Sequence, residues 1–423
     1  TGSGNANIGI YGSGNQRNSN TFTATAGNIY GIKFDADTGT GYEVSTNGGA
    51  YSSGGLNNIE APWTPWFQSY STNCHFNFGQ DSSFAGNETA QGNQDDNNKG
   101  DFYYAPPSGY LALCTDNLSD PSIALPGENF NTVLYTATGT AIGSGGQAIT
   151  GVGFQPDFTW IKKRDTTARA HVLFDVIRGG SYALMSSSTQ ENEYNVERLN
   201  SWQSDGFTVG NEVTVGVNTK TYVSWNWKAG GVPTATNSAG AGNVPTAGSV
   251  KINGSNSSSA LAGTIPAKKI SANTTAGFSI VQYTGTGSGG TIAHGLSQTP
   301  DMIISKGYST GAGYNWRVGG EALGLTSANY SMRLDLDNAE QNLSGVFGAY
   351  PAATVWTIGT DAGVNDSGKD YIAYCFHSVE GYLKVNRYTG NGNANGTFVE
   401  TGFEPKFLMV KNVGAGGGWA MLD

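Results

Sequence analysis

Apolar positions along this chain alternate with polar ones in short runs, and the spacing of an amphipathic helix is almost absent. Residues 30–36, 42–46, 75–78, 158–162, 221–227, 278–283, 302–306, 371–376 and 407–411 each read as a β-strand. Gly, Asn, Asp and Ser separate these runs, as turns with positive φ require. The two best helical stretches, 188–199 and 321–340, are short or interrupted. Many short strands with turn signals between them predict an all-β chain of tandem β-sandwich domains, of jelly-roll kind.

Self-similarity sharpens the picture. Tyr135-Thr-Ala-Thr-Gly139 is followed by Gly153-Phe-Gln-Pro156 and then Asp157-Phe-Thr-Trp-Ile-Lys162. Tyr283-Thr-Gly-Thr-Gly287 precedes Pro300-Asp-Met-Ile-Ile-Ser-Lys306, and Tyr388-Thr-Gly-Asn-Gly392 precedes Pro405-Lys-Phe-Leu-Met-Val-Lys411. Proline cannot donate to a ladder and suits the first position of a strand. The residues two, four and six places after it share one face: Phe158, Trp160 and Lys162; Met302, Ile304 and Lys306; Phe407, Met409 and Lys411. The alternate positions, among them Ile161, Ile303, Leu408 and Val410, are also largely apolar, which marks a strand central to its sandwich. The lysine is expected to lay its stem on apolar surface and hold its ammonium in water.

Two repeats share a second half, in which Tyr222-Val-Ser-Trp-Asn-Trp227 matches Tyr371-Ile-Ala-Tyr-Cys-Phe376. The third stops at Trp419-Ala-Met-Leu-Asp423, which aligns with His171-Val-Leu-Phe-Asp175. The expected organisation is therefore an N-terminal module over 1–118, repeat 1 over 126–231, a connection over 232–273, repeat 2 over 274–381 and a partial repeat 3 over 382–423. The connection is rich in Gly, Ala, Ser and Asn, the composition of a flexible linker. Its runs 249–253 and 264–270 are also apt to form a hairpin. The incomplete third repeat predicts missing C-terminal sequence or completion by another chain.

Composition narrows the function classes. Charged residues are only 13%, and the net charge is −10. No Lys/Arg cluster offers a footprint for nucleic acid, and no apolar run spans a bilayer. Cys74, Cys114 and Cys375 are too far apart for a zinc ribbon or a disulfide framework and read as isolated buried thiols. The four histidines make no metal-ligand spacing, and the reading requires no cofactor and no metal. Asp35-Ala-Asp-Thr-Gly39 has Thr46 where a calcium loop needs an acid. Asp95–Asp101 is a denser oxygen cluster that a solvated turn explains. Glu191 with Glu193, and Asp335 with Asp337, have strand spacing, but a solvated sheet face accounts for both pairs without glycosidase chemistry.

The N-terminal module follows another logic. Tyr30-Gly-Ile-Lys-Phe-Asp35, Tyr42-Glu-Val-Ser-Thr-Asn47-Gly48, Cys74-His-Phe-Asn-Phe-Gly79-Gln80 and Phe102-Tyr-Tyr-Ala-Pro-Pro107-Ser-Gly-Tyr110, in that order, resemble a SPRY-type, concanavalin-like β-sandwich whose first strands are truncated or divergent. The junction 109–118, with the G-F-Q-P-D-F-x-W-I-K, N-W-K-A-G-G and A-Y-C-F runs, resembles bacteriophage tail-fibre-like virion proteins over nearly the whole chain. That resemblance implies a non-enzymatic protein on the virion surface, extracellular, built as a homo-oligomer, in this setting a trimer. Its implied partners are itself and other virion proteins, without nucleic acid or membrane insertion. Abundant Tyr, Trp and Phe among Gly, Ser and Asn suit adhesion to host-surface glycan, with Tyr51, Trp63, Trp66 and Tyr70 as the candidate stacking residues. A capsid-decoration or tail-structure role is the alternative, and a polysaccharide-cleaving tailspike is the third class.

Overall fold

The computed structural model describes residues 4–11, 17–25, 27–35, 42–53, 64–69, 74–117, 121–165 and 169–423. They divide into two compact units, 1–120 and 121–423. Strands dominate both. Helix among the described residues is limited to the single turn Ala362–Asn365 and short 3-10 turns. The all-β expectation is met.

In the first unit, Tyr30–Phe34 pairs antiparallel with Tyr42–Thr46, which pairs with Ser52–Ser53. The Asn47-Gly48 step that turns the second strand has both residues at positive φ. A second sheet joins Gly4–Tyr11 to Arg17–Ala24 and Thr64–Ser69. The predicted strand at 75–78 does not form. Asn77 accepts from the amides of Gly79 and Asp81, and Gln80 holds both the Phe78 amide and the Phe76 carbonyl. Side chains thus take the hydrogen bonds that a ladder would need.

In the second unit each of repeats 1 and 2 is a sandwich with one large sheet. The sheet of repeat 1 runs Glu193–Tyr194, Tyr182–Met185, Val172–Asp175, Phe158–Lys163, Thr221–Trp227, Phe130–Thr136. The sheet of repeat 2 repeats the inner order as Arg317–Gly319, Met302–Gly307, Asp370–Phe376, Phe278–Thr284 and then adds Ala267–Asn273, Val250–Ile252 and Ser255–Asn256. The 250–252 and 267–273 strands pair parallel, not as the expected hairpin. Their Gly- and Ser-rich surroundings leave register to the neighbouring 278–284 strand.

The repeated tyrosines explain the shared motif. Tyr135 stacks on Tyr222 at 5.2 Å and donates to the Val215 carbonyl, while Tyr283 stacks on Tyr371 at 5.2 Å and donates to the Val364 carbonyl. Each pair closes one end of its sandwich and locks the first strand to the last.

Alternation along the central strands separates two cores. Tyr222 faces the interior of the first sandwich, and Tyr371, Ala373 and Cys375 face that of the second. Val223, Trp225, Trp227, Ile372, Tyr374 and Phe376 face the other way into one common core. That core is shared by the large sheets of both repeats and by Phe407, Met409, Trp419 and Met421 of a third hairpin, Leu408–Val410 with Ala420–Leu422.

Candidate functional site

The contact between repeats is directional and occurs twice. Trp316 of repeat 2 donates its indole N–H to the Met185 carbonyl of repeat 1 at 3.0 Å, and Trp419 of the third hairpin donates to the Arg333 carbonyl of repeat 2 at 2.9 Å. Lys306 donates to the Thr189 carbonyl at 2.9 Å, and Lys411 to that of Asp337 at 3.0 Å. The Asn192 amide reaches the Tyr308 carbonyl, and the Glu340 amide that of Val413. In the alignment, Met185, Thr189 and Asn192 correspond to Arg333, Asp337 and Glu340. The same head-to-tail interface therefore joins repeat 1 to repeat 2 and repeat 2 to the third hairpin.

Phe407 then lies 5.5–5.6 Å from the rings of Phe130, Trp225 and Trp227, which brings the third hairpin against repeat 1. Two heterologous steps and this aromatic contact thus surround one core. The third hairpin lies beside an opening. It holds a cleft of about 1740 Å³ between the 382–388 and 407–413 segments, floored by Phe130, Trp227, Met302 and Tyr374. This volume exceeds the ~300–1,000 Å³ of small-molecule pockets. The lining carries Arg164, Lys384, Arg387, Lys406 and Lys411 against two carboxylates, Glu404 and Asp423.

The strand-end lysines depart from the snorkelling expectation. Lys162, Lys306 and Lys411 donate to the carbonyls of Arg169, Tyr314 and Gly417, in each case two residues before the His171, Trp316 or Trp419 position. Lys306 is fully buried, and burial pushes its ammonium down to about 8. The lysine is a pin for the hairpin that follows it.

Three of the four carboxylates weighed for catalysis are committed elsewhere. Glu191 accepts from the Gly311 amide at 2.5 Å, and Glu193 pairs with Arg198 at 2.7 Å. Asp335 accepts from the Asn315 side chain and the Trp316 amide. Asp95 takes four donors, the amides of Asn97, Lys99 and Ala112 and the Asn117 side chain, and these bonds hold its carboxyl down at about 2 against the opposing effect of burial. It organises its loop. Among the described residues no group of three His, Cys, Asp or Glu is placed to hold a metal ion.

Of the four N-terminal candidates, Tyr51 and the backbone of Trp66 lie among the described residues. Tyr51 is half-buried, with the Lys33 ammonium 5.1 Å from its ring and 4.8 Å from that of Tyr110. Trp63 and Tyr70 lie outside the described residues, and Trp66 stands opposite Gly9 in the 64–69 strand. Among the described residues of this unit, Phe76, Phe78 and Tyr104 are exposed rings. Cys74 and Cys114 are exposed, contrary to the expectation of buried thiols. Cys375 is buried, which pushes its thiol up to about 12.

Two buried histidines give the second unit a pH response. His171 Nδ1 accepts from the Trp160 indole at 3.0 Å, and His294 Nδ1 accepts from the Leu296 amide at 3.1 Å. Either proton would displace an accepted hydrogen bond. Burial, helped at His171 by the Lys162 charge and at His294 by His377, holds both rings down at about 4. Their stabilisation is complete above the unfolded value of ~6.5 and is lost as pH falls toward 4. Asp157 runs the other way, because burial raises its carboxyl to about 6 and the native state takes up its proton first on acidification. The net expectation is a loss of about 3 kcal/mol between pH 7 and 4.5. Denaturant titrations at both pH values check this, and a His171→Gln/His294→Gln variant should instead gain stability on acidification, because Asp157 is then the group left to respond.

Two segments, 125–254 and 249–423, match the model of one family, described as Domain of unknown function (DUF7483). No curated protein and no solved structure matches the chain.

Proposed function

We propose that this chain, which belongs to the DUF7483 family of domains of unknown function, is a non-enzymatic architectural protein of a phage-type virion appendage, whose repeats are assembly modules. The observation that carries this reading is the twice-used head-to-tail interface, made by Trp316 and Trp419 on successive backbone carbonyls. A contact that recurs with a change of repeat is the mark of a module selected for joining to its own kind. The aromatic richness of the second unit supports the same reading, because Trp160, Trp225, Trp227, Trp316 and Trp356 are all buried. Rings used for packing are not offered to a sugar.

The virion setting rests on the resemblance of the repeat motifs to tail-fibre-like proteins. No helix among the described residues is long and apolar enough to cross a membrane. A second reading, adhesion to host-surface glycan through the first unit, has the exposed Phe76, Phe78 and Tyr104 in its favour. Sedimentation of the full chain and binding to a glycan array and to host-envelope fractions separate the two. Assembly without envelope binding is expected. Saturable glycan binding weakened by Tyr104→Ala would overturn the architectural reading in favour of adhesion.

A further inference from the structure

The end of the second sandwich carries two arginines where the first carries apolar side chains. In repeat 1, Val172 stands between Ile161 and Met185 in the large sheet. In repeat 2, Arg317 takes the place of Val172, opposite Ser305. The Val318–Met332 bridge then sets Arg333 opposite Arg317, at the position of Met185. The fold itself therefore does not call for charge at either position, and like charges facing one another across a sheet are destabilising.

Arg317 is 6% exposed, and its Nη2 lies 3.1 Å from Asp361 Oδ1, which also accepts from the Gly363 amide. Its Nε and Nη1, and the Nε of Arg333, are buried and have no acceptor among the described residues. Asp335 gives its oxygens to the Trp316 amide and the Asn315 side chain. Burial, and after it the Arg317 charge, lowers the Arg333 guanidinium below its ordinary value. Repeat 1 has the opposite balance at this end. There Arg198 lies 2.7 Å from Glu193 and 3.6 Å from Glu212, the residue that corresponds to Asp361. One guanidinium thus meets two carboxylates in repeat 1, whereas in repeat 2 two arginines share one contacting carboxylate. Gly363, where repeat 1 has Thr214, leaves open the space that a Cβ would fill 2.8 Å from Arg317 Nε.

We propose that Arg317 and Arg333 hold a small inorganic anion of the chloride class inside the end of the second sandwich. A buried guanidinium N–H needs an acceptor, and a buried charge needs a counter-charge. A monatomic anion accepts from any direction, so it serves Nε and Nη1 of one arginine and Nε of the other at once. It is smaller and more weakly hydrated than a phosphate, which suits groups already shut off from water. Held there, it offsets the repulsion between the two arginines. It also steadies the strands from which both inter-repeat bonds are made, since Trp316 adjoins Arg317 and the Arg333 carbonyl receives Trp419.

This inference goes beyond the assembly role and is tested without it. Thermal unfolding of the full chain is followed at constant ionic strength while sodium gluconate is replaced by sodium chloride or sodium bromide. Both halides should raise the midpoint saturably, by about 5 °C. The chlorine NMR line of chloride should broaden on adding the chain and narrow again on adding bromide. Arg333→Met installs the residue of repeat 1 and leaves Arg317 with Asp361, so it should abolish both effects. Arg333→Lys keeps the charge and loses the Nε–H, and it should weaken the chloride response about tenfold, the cost of one charge-assisted bond. A midpoint that climbs linearly with halide, or an equal rise in both variants, is general salt action and overturns the site. So does a chloride line that stays narrow with the wild-type chain, which would make water the acceptor of these N–H groups. Should Arg333→Met fail to fold, Arg333→Lys decides alone, and an unweakened response there overturns the site.

Discussion

Replacing Asp175 with alanine is expected to cost about 3–5 kcal/mol of unfolding free energy, because it strands a buried cation. Asp175 and Arg178 have fully buried side chains, and the guanidinium Nε lies 2.6 Å from the carboxylate. The same carboxylate accepts from the amides of Ile177 and Arg178 and, across the repeat boundary, from the Tyr374 hydroxyl at 2.8 Å. The remaining guanidinium N–H groups reach the carbonyls of Leu173 and Tyr182 and the Asn192 side chain. The pair is thus satisfied only as a whole. Without the carboxylate, Arg178 keeps its carbonyl partners but has no counter-ion in a site that excludes water. Urea or guanidinium unfolding of wild type and Asp175→Ala measures the loss. An Asp175→Ala/Arg178→Met variant should recover much of it, since removing both charges removes the uncompensated one. If the double variant is as unstable as the single, the cost lies in packing and not in charge.

The strands of the repeats were legible because each is a short apolar run set between polar or turn-forming residues, and three of them are also marked by a leading proline. The runs 42–46 and 221–227 coincide with the observed strands, and most of the others differ by one or two residues at an end. The failures are physical. At 75–78 the apolar spacing is that of a strand, but Asn77 and Gln80 turn their amides on the local backbone. The 249–270 connection contains two runs able to pair, and nothing in a Gly- and Ser-rich segment chooses parallel over antiparallel. The core was half legible. That the 405–411 run is a third copy of the proline-led strand follows from the alignment, while the common core does not. Two apolar faces on Phe158–Lys163 say that something covers each face without saying that two other repeats cover one of them. The inter-repeat bonds end on backbone carbonyls, which every residue has, so Met185 and Arg333 carry no mark. The one available signal was Trp316 and Trp419 standing at the same repeat position.

That position carries the other large expected effect. Trp316 is fully buried, lies in a stacked arrangement with Tyr374 at 6.5 Å between ring centroids, and donates to Met185 of the preceding repeat. Trp316→Ala removes an aromatic ring from the middle of the common core, and large-to-small changes of this kind cost about 3–5 kcal/mol. Trp316→Phe keeps most of the volume and loses the N–H, so about 1–2 kcal/mol is expected from the Met185 carbonyl left without its donor. Trp419→Ala should cost less than Trp316→Ala, although the same hydrogen bond is lost, because Trp419 is only partly buried beside the open cleft. The ordering of the three variants in denaturant unfolding is the decisive reading. If Trp419→Ala proved as costly as Trp316→Ala, the third hairpin would be as tightly held as a complete repeat.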